Sequence, residues 1–162
     1  MRWDPSQGQV PRGACGAVGS ISEVELVLVT AEPGDPLPGE THLHSNIEST
    51  IAFSIECLRH PATPFHQNIR RILDLCFPEL AFEDQLRRVW RTNSVLCSVK
   101  VECGRIPRDV ENICITKYLS QQIALVPHAL VAASSRFCEP GNAIQDFTAN
   151  NRADDYSIRS RK

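Results

Sequence analysis

The chain has 162 residues, a formal net charge of −2, and 42% hydrophobic and 22% charged residues. It has room for one domain with a real core, because a chain of this length buries roughly 70% of its unfolded surface. No apolar run approaches the ~20 residues of a membrane span, and the N-terminal stretch has no apolar signal core. We therefore expect an intracellular, cytoplasmic protein whose seven cysteines are thiols or metal ligands rather than disulfides.

The charges are distributed unevenly along the chain. Residues 1–58 carry eight acids and two arginines, whereas residues 59–136 carry eleven Lys/Arg and seven acids, a net charge of +4. Two interpretations stay open for the arginines of this middle stretch. They are either the solvated faces of helices or a positive surface beside an acidic loop, as a protein that holds a polyanion needs. The arginines concerned are Arg70, Arg71, Arg87, Arg88 and Arg91.

The predicted elements alternate between strands and helices. Residues 1–22, rich in Gly, Pro, Ser and Gln, predict an extended lead-in. A run of branched apolar residues predicts a first strand near 24–30, buried on both faces. The elements predicted after it are helices over about 47–59, 65–76 and 82–88, a second strand over 89–99, a long helix between Pro107 and Pro127 with Ile115, Leu119 and Ile123 on one face, and a third buried strand within 128–134.

This order of elements predicts parallel strands joined by right-handed crossovers. The expected fold is a three-layer α/β/α sandwich with a short parallel sheet, formed by residues 23–135. Residues 136–162 have almost no apolar periodicity and predict a disordered or non-homologous tail.

Two positions at predicted strand ends carry candidate chemistry. Glu32, beside Pro33 and Gly34, is placed to orient and activate a water as a general base; the alternative is that it only caps and rigidifies the loop. Asn93 has an amide that both donates and accepts, so it can read the edge of a nucleobase. The alternative for Asn93 is a bulge or turn residue.

Four stretches carry a resemblance to a known family: VLVTAEPGDP, NIRRILDL, TNSVLCSVK and DVENICITKYLSQQIALVPHALVAA. They resemble, in order, the first-strand loop that reads GEAPG, the helix before the second strand, the strand TNVVKCRP, and the segment EIxxCxxYLxxQIxLxxPxxIVAL. These belong to the uracil-DNA glycosylase superfamily, especially its thermophilic-type, iron–sulfur-containing branch. The resemblance covers roughly residues 24–133.

The resemblance implies a DNA repair hydrolase of base excision repair, which flips uracil out of DNA and hydrolyses its N-glycosidic bond. Glu32 is then the catalytic residue that positions the water, and Ala31, Pro33, Gly34 and Asn93 bind the base. Ala31 stands where the iron–sulfur branch has its Glu, so the carboxylate is shifted by one residue. The implied partner is uracil-containing DNA, and we expect a monomer.

The cysteines extend the resemblance to a cofactor. Cys97 and Cys114 match two cluster ligands of the branch in context and separation, and Cys15 stands for one of its N-terminal pair. The resemblance thus implies a 4Fe-4S cluster held by these three residues, with Cys103 or another residue as the fourth ligand. Reduced, buried thiols are the alternative.

Two features of the superfamily are missing from the sequence. The His-Pro-Ser type motif that follows the fourth strand has no counterpart, since the only His-Pro, at His60-Pro61, comes far too early. Ala133-Ser134 replaces the glycine after IVAL. We therefore predict a fold that lacks the last strand, and the alternative function is a truncated or degenerate, inactive member that only binds nucleic acid. An unrelated nucleotide-binding domain ranks last, because GxGxxG and GxxxxGK are absent.

Overall fold

The computed structural model describes residues 16–31, 47–96 and 107–134. The predicted tail 136–162 and most of the predicted lead-in lie outside the described residues. In chain order the elements are a 3-10 turn (Ile21–Glu23), β1 (Leu26–Thr30), α1 (Ile47–Arg59), α2 (Pro64–Cys76), α3 (Phe82–Arg87), β2 (Val89–Asn93), α4 (Arg108–Cys114), a π-helical segment (Ile115–Leu119), α5 (Ser120–Ala124) and β3 (Leu130–Ser134).

The helices before β2 follow the sequence prediction closely. α1 has the predicted bounds, and α2 begins one residue earlier than predicted, at Pro64. Thr63 caps α2, because its hydroxyl oxygen accepts a hydrogen bond from the backbone N–H of His66 at 3.4 Å. Proline suits the first helical position, where its missing N–H costs no helical hydrogen bond. Within the described residues no helix is long and apolar enough to cross a membrane.

The three strands form one parallel sheet in the order β2-β1-β3. All five residues of β1 are buried, which confirms the prediction that the first strand is covered on both faces. The strands are in register, so that Thr30 pairs with Asn93 on one side and with Ser134 on the other. The carboxyl ends of all three strands therefore meet at one edge of the sheet.

Side chains of β1 alternate between two helical layers. Leu26 and Leu28 belong to a core cluster with buried residues of α1, α2 and α3. Val27 and Val29 belong to a second cluster on the other face, with residues of the π-helical segment and with Val126. The predicted α/β fold with a short parallel sheet is thus confirmed for the described residues, with helices on both faces of the sheet.

The second strand is shorter than the predicted 89–99. β2 ends at Asn93, and the chain bends at residues 94–96. β1 also ends, at Thr30, so no described strand lies alongside for a longer β2 to pair with. Residues 97–99 lie outside the described residues.

The third strand is not buried as predicted. β3 pairs with β1 on one side, and no strand of the described part of the chain pairs with its outer side. Leu130 is 70% exposed, whereas Leu26, its partner in the register, is 5% exposed. The apolar composition of the strand therefore marks an edge strand in the described fold rather than a central one.

The long helix predicted after Pro107 contains a π-helical segment, Ile115–Leu119, between α4 and α5. One extra residue in a helical turn rotates the residues that follow around the helix axis. The Ser120 hydroxyl donates to the backbone oxygen of Ile115 at 2.9 Å across this segment. The predicted inward face is confirmed, because Ile115, Leu119 and Ile123 all pack in the second core cluster.

Glu23 connects the segment before β1 to the end of α3. Its carboxylate accepts hydrogen bonds from the backbone N–H of Ser20 at 2.9 Å and from Arg87 Nη2 at 3.1 Å. The hydrogen bond from Ser20 is the larger cause, and the hydrogen bond from Arg87 the next, of a Glu23 carboxyl pKa below its ordinary value of 4.5. Both bonds favour the charged carboxylate in the folded protein.

Replacing Leu28 tests the buried centre of the sheet. Leu28 has no exposed surface, so Leu28→Ala should lower the free energy of unfolding by about 2–5 kcal/mol. Leu75→Ala is the matched control, because Leu75 on α2 is 55% exposed and its truncation should change stability by less than about 0.5 kcal/mol. Urea denaturation measures both values. Equal losses for the two variants would contradict the placement of Leu28 in the core.

The Glu23 carboxylate should make stability depend on acid pH. Because its pKa is lowered on folding, its contribution is present above the unfolded pKa and is lost as the pH falls through the folded pKa. Glu23→Gln should therefore flatten the decline of the unfolding free energy below pH 4.5. The control is Glu79→Gln, in an exposed turn residue without an ion pair among the described residues. A decline as steep as in the wild type would refute the role of Glu23.

Candidate functional site

The carboxyl edge of the sheet is the expected place for a ligand, since ligands of open α/β sheets bind outside the carboxyl ends of parallel strands. Thr30, Asn93 and Ser134 end the three strands at this edge, in one register. Two of the predicted base-binding residues, Ala31 and Asn93, lie here. The structure therefore brings together the ends of the two motifs in which sequence reasoning placed the site.

Asn93 is held by a residue that sequence reasoning did not select. The hydroxyl of Thr30 donates a hydrogen bond to Oδ1 of Asn93, and the two residues are 7% and 6% exposed. Both belong to the strand positions that face α1–α3, because they continue the alternation of Leu26 and Leu28. Among the described residues, no hydrogen-bond acceptor engages Nδ2 of Asn93.

Backbone contacts fix the two strand ends against each other beyond the sheet. The N–H of Ser94 donates to the oxygen of Thr30 at 2.7 Å, and the N–H of Val95 donates to the oxygen of Ala31 at 3.0 Å. The Ser94 hydroxyl also donates to the oxygen of Ala31, at 2.7 Å. The carbonyl of Ala31 is therefore used twice within the protein. Asn93 is thus followed directly by two residues whose backbone is bonded to the end of β1.

The opposite face of the same strand end lacks such a pairing. Thr92 is 1% exposed, and its Oγ1 has no hydrogen-bond partner among the described residues. Thr92 pairs with Val29, and its side chain lies on the face of the second core cluster. The polar pairing at this edge is thus confined to the face of α1–α3, where Thr30 and Asn93 meet.

The remaining predicted site residues are placed only in part. Glu32, Pro33 and Gly34, with the predicted general base among them, lie outside the described residues, as do Cys15 and Cys97. Cys114 is buried at the end of α4, with 9% of its surface exposed. Within the described ranges no group of three or more His, Cys, Asp or Glu residues is arranged to hold a metal ion.

Two further cysteines of the described residues lie on helices. Cys57 on α1 and Cys76 on α2 are half-buried, and Cys76 packs against the first core cluster. Burial raises the pKa of the Cys76 thiol above its ordinary value of 9.0. A thiol with a raised pKa is a poor metal ligand and a poor nucleophile at neutral pH, which agrees with a packing role.

Most of the arginines of the basic middle stretch have acidic or polar partners within the protein. Arg87 and Arg88 come just before β2, at the amino edge of the sheet, and form ion pairs with Glu23 and Glu25. They therefore lie at the end of the sheet opposite to Asn93. The carboxylates of Glu23 and Glu25 balance the charge of these two arginines, and neither arginine lies at the candidate site.

The other arginines of the set differ in their contacts. Arg70 lies 3.9 Å from the ring centroid of Phe82, and Arg91 donates to the Ser54 hydroxyl at 2.8 Å. Arg71 is exposed and has no partner among the described residues. Of these five residues, Arg87 and Arg88 lie away from the carboxyl edge, and Arg91 lies two residues before Asn93 on β2.

The part that sequence reasoning missed is Thr30. Its signal is present in the sequence, as a hydroxyl residue that ends the first strand while an asparagine ends the second. Only the register of the parallel pair turns this into a contact, because a shift by one residue would put Thr30 and Asn93 on different faces.

A scan against protein-family models found no match, and searches of curated proteins and of solved structures found none either.

Proposed function

We propose that the chain is a uracil-DNA glycosylase-like domain, with a fold that lacks the last strand of that superfamily, and that it hydrolyses the N-glycosidic bond of uracil in DNA after base flipping. The observation that carries the proposal is the position of Asn93. This asparagine, which the resemblance makes the base-reading residue, lies at the carboxyl edge of the sheet beside the end of β1. Its Oδ1 accepts from the Thr30 hydroxyl, and no acceptor among the described residues engages Nδ2.

The chemistry of the amide matches the edge of uracil. Uracil presents a carbonyl oxygen, O4, and the N3–H donor, and a flipped base is read through such an edge. Asn93 Nδ2 donates to O4. Oδ1 has two lone pairs, so it accepts from N3–H while it accepts from Thr30. The neutral amide of Asn93 therefore makes both hydrogen bonds to the base, and no ionised side chain is needed for them.

Hydrolysis breaks the bond between C1′ of the sugar and N1 of the base. The electron pair of this bond leaves with uracil, the oxygen of water bonds to C1′, and a water proton is released. In the proposal Glu32 orients this water, and Ala31, Pro33 and Gly34 line the base, as the resemblance implies. Hydrogen bonds fixed toward the leaving base stabilise the charge that it gains. The substrate partner is uracil-containing DNA, and the protein acts as a cytoplasmic monomer.

A second candidate is an inactive member that only binds nucleic acid. The missing His-Pro-Ser type motif favours it, because in the superfamily this motif supplies half of the site. The local pairing of Arg87 and Arg88 argues for weak rather than tight binding of DNA, since paired arginines release fewer counterions.

Uracil release from an oligonucleotide tests the main proposal. The wild type should release uracil, and Asn93→Ala should lower the rate by about 5- to 150-fold, since a paired base edge is worth about 1–3 kcal/mol. Asn112→Ala is the control, because Asn112 is exposed on α4. Chromatography of the free base gives the rates.

Two results separate the candidates. Absence of release by the full-length wild type, together with DNA binding that Asn93→Ala leaves unchanged, would rule out the enzymatic function. Salt-dependent retention of DNA without turnover would favour the second candidate.

The iron–sulfur cluster is a separate proposal with its own test. Of its three proposed ligands, the structure describes only Cys114, so the described residues by themselves do not make a cluster site. A cluster held by Cys15, Cys97 and Cys114 predicts visible absorption in anaerobically purified protein. Cys114→Ser should abolish this absorption and Cys76→Ser should retain it. Reduced thiols predict a colourless wild type, and that result would overturn the cluster.

A further inference from the structure

The last residue of β1 makes a contact that bears on what Asn93 can select. Thr30 Oγ1 carries one hydrogen and has two acceptors within reach, Oδ1 of Asn93 and the backbone oxygen of Thr92. The Thr92 oxygen is 3.4 Å away, beyond the usual range of an O–H···O hydrogen bond. Oδ1 of Asn93 is much the closer acceptor, so the hydroxyl hydrogen goes to the amide.

An asparagine amide has two ends of opposite character. Rotation by 180° about its last torsion exchanges a carbonyl oxygen, which only accepts, for an NH₂ group, which only donates. At Asn93 the neighbouring hydroxyl donor attracts the oxygen end. No acceptor among the described residues engages the NH₂ end, so this end donates to a ligand.

The surroundings make Thr30 the residue that decides this orientation. Both side chains are more than nine-tenths buried, so water does not compete freely for the amide. The backbone directly after Asn93 is fixed by the bonds of Ser94 and Val95 to the end of β1. The branched Cβ of Thr30 further restricts its own side-chain torsion. Among the described residues, the Thr30 hydroxyl therefore sets the orientation of the amide.

We propose that Thr30 is a positioning residue, which holds Asn93 in the orientation that selects a base carbonyl over a base amino group. This inference rests on the proposed function and adds to it a reason why the protein selects uracil over cytosine. Nδ2 offers hydrogens to O4 of uracil, whereas cytosine presents an amino group at the same position and leaves two donors facing each other. Without the Thr30 hydroxyl, the amide turns its oxygen toward cytosine at little cost.

The test compares Thr30→Val, which keeps the shape but removes the hydroxyl, with Thr30→Ser, which keeps the hydroxyl. Binding is measured to two oligonucleotides that differ only by uracil or cytosine at one unpaired position. The preference for uracil should fall by about 2- to 10-fold in Thr30→Val, the value of one hydrogen bond, and persist in Thr30→Ser. The side-chain NH₂ signals of Asn93, assigned by their loss in Asn93→Ala, should shift or split in Thr30→Val alone.

The outcomes distinguish this inference from the function on which it rests. A wild type that prefers uracil, with preference and NH₂ signals unchanged in Thr30→Val, overturns the role of Thr30 and leaves the proposed function standing. A wild type without any preference overturns the proposed function, and the base-selecting role of Thr30 fails with it. Loss of preference in Thr30→Ser as well as in Thr30→Val assigns the effect to packing and also overturns the inference.

Discussion

The parallel pairing of β1 with β2 is the constraint on which the candidate site depends. It puts Thr30 opposite Asn93, and it does so only in the observed register, because a slip of one residue would send the two side chains to different faces. The register is held by the burial of β1, whose alternate side chains fill two separate cores. Core packing in the middle of the sheet thus determines which polar groups meet at its edge.

Much of the fold could be predicted from the sequence, because its signals are local. The apolar spacing of α1 and α2 and the proline positions define these helices to within a residue of their observed bounds. The end of β2 and the exposure of β3 could not be predicted in this way. Both depend on whether a neighbouring strand is present, and the apolar sequence of β3 is the same for an edge strand as for a central one. The π-helical segment likewise could not be predicted, because Ile115, Leu119 and Ile123 have the spacing of an uninterrupted α-helix.

Sequence reasoning selects Asn93 for the candidate site and not Thr30, for a related reason. Asn93 stands in a recognisable stretch with its own chemistry, whereas Thr30 gains significance only through a contact 63 positions away along the chain. For the arginines, the sequence suggests a shared role that the contacts of the structure do not support. Their sequence suggests one basic surface, but Arg87 and Arg88 find acidic partners at the opposite edge of the sheet. Charge counted along a chain says little about a surface until the partners are known.

In the proposed function, the carboxyl edge of the sheet receives a uracil base through Asn93. A crystal structure of the full chain with DNA that carries an extruded, non-cleavable deoxyuridine tests it most directly. We expect the uracil ring at the ends of β1 and β2, with Nδ2 of Asn93 about 2.7–3.2 Å from O4 and Oδ1 still bonded to the Thr30 hydroxyl. A uracil bound elsewhere on the protein, or one at this edge whose O4 does not contact Asn93, would contradict it.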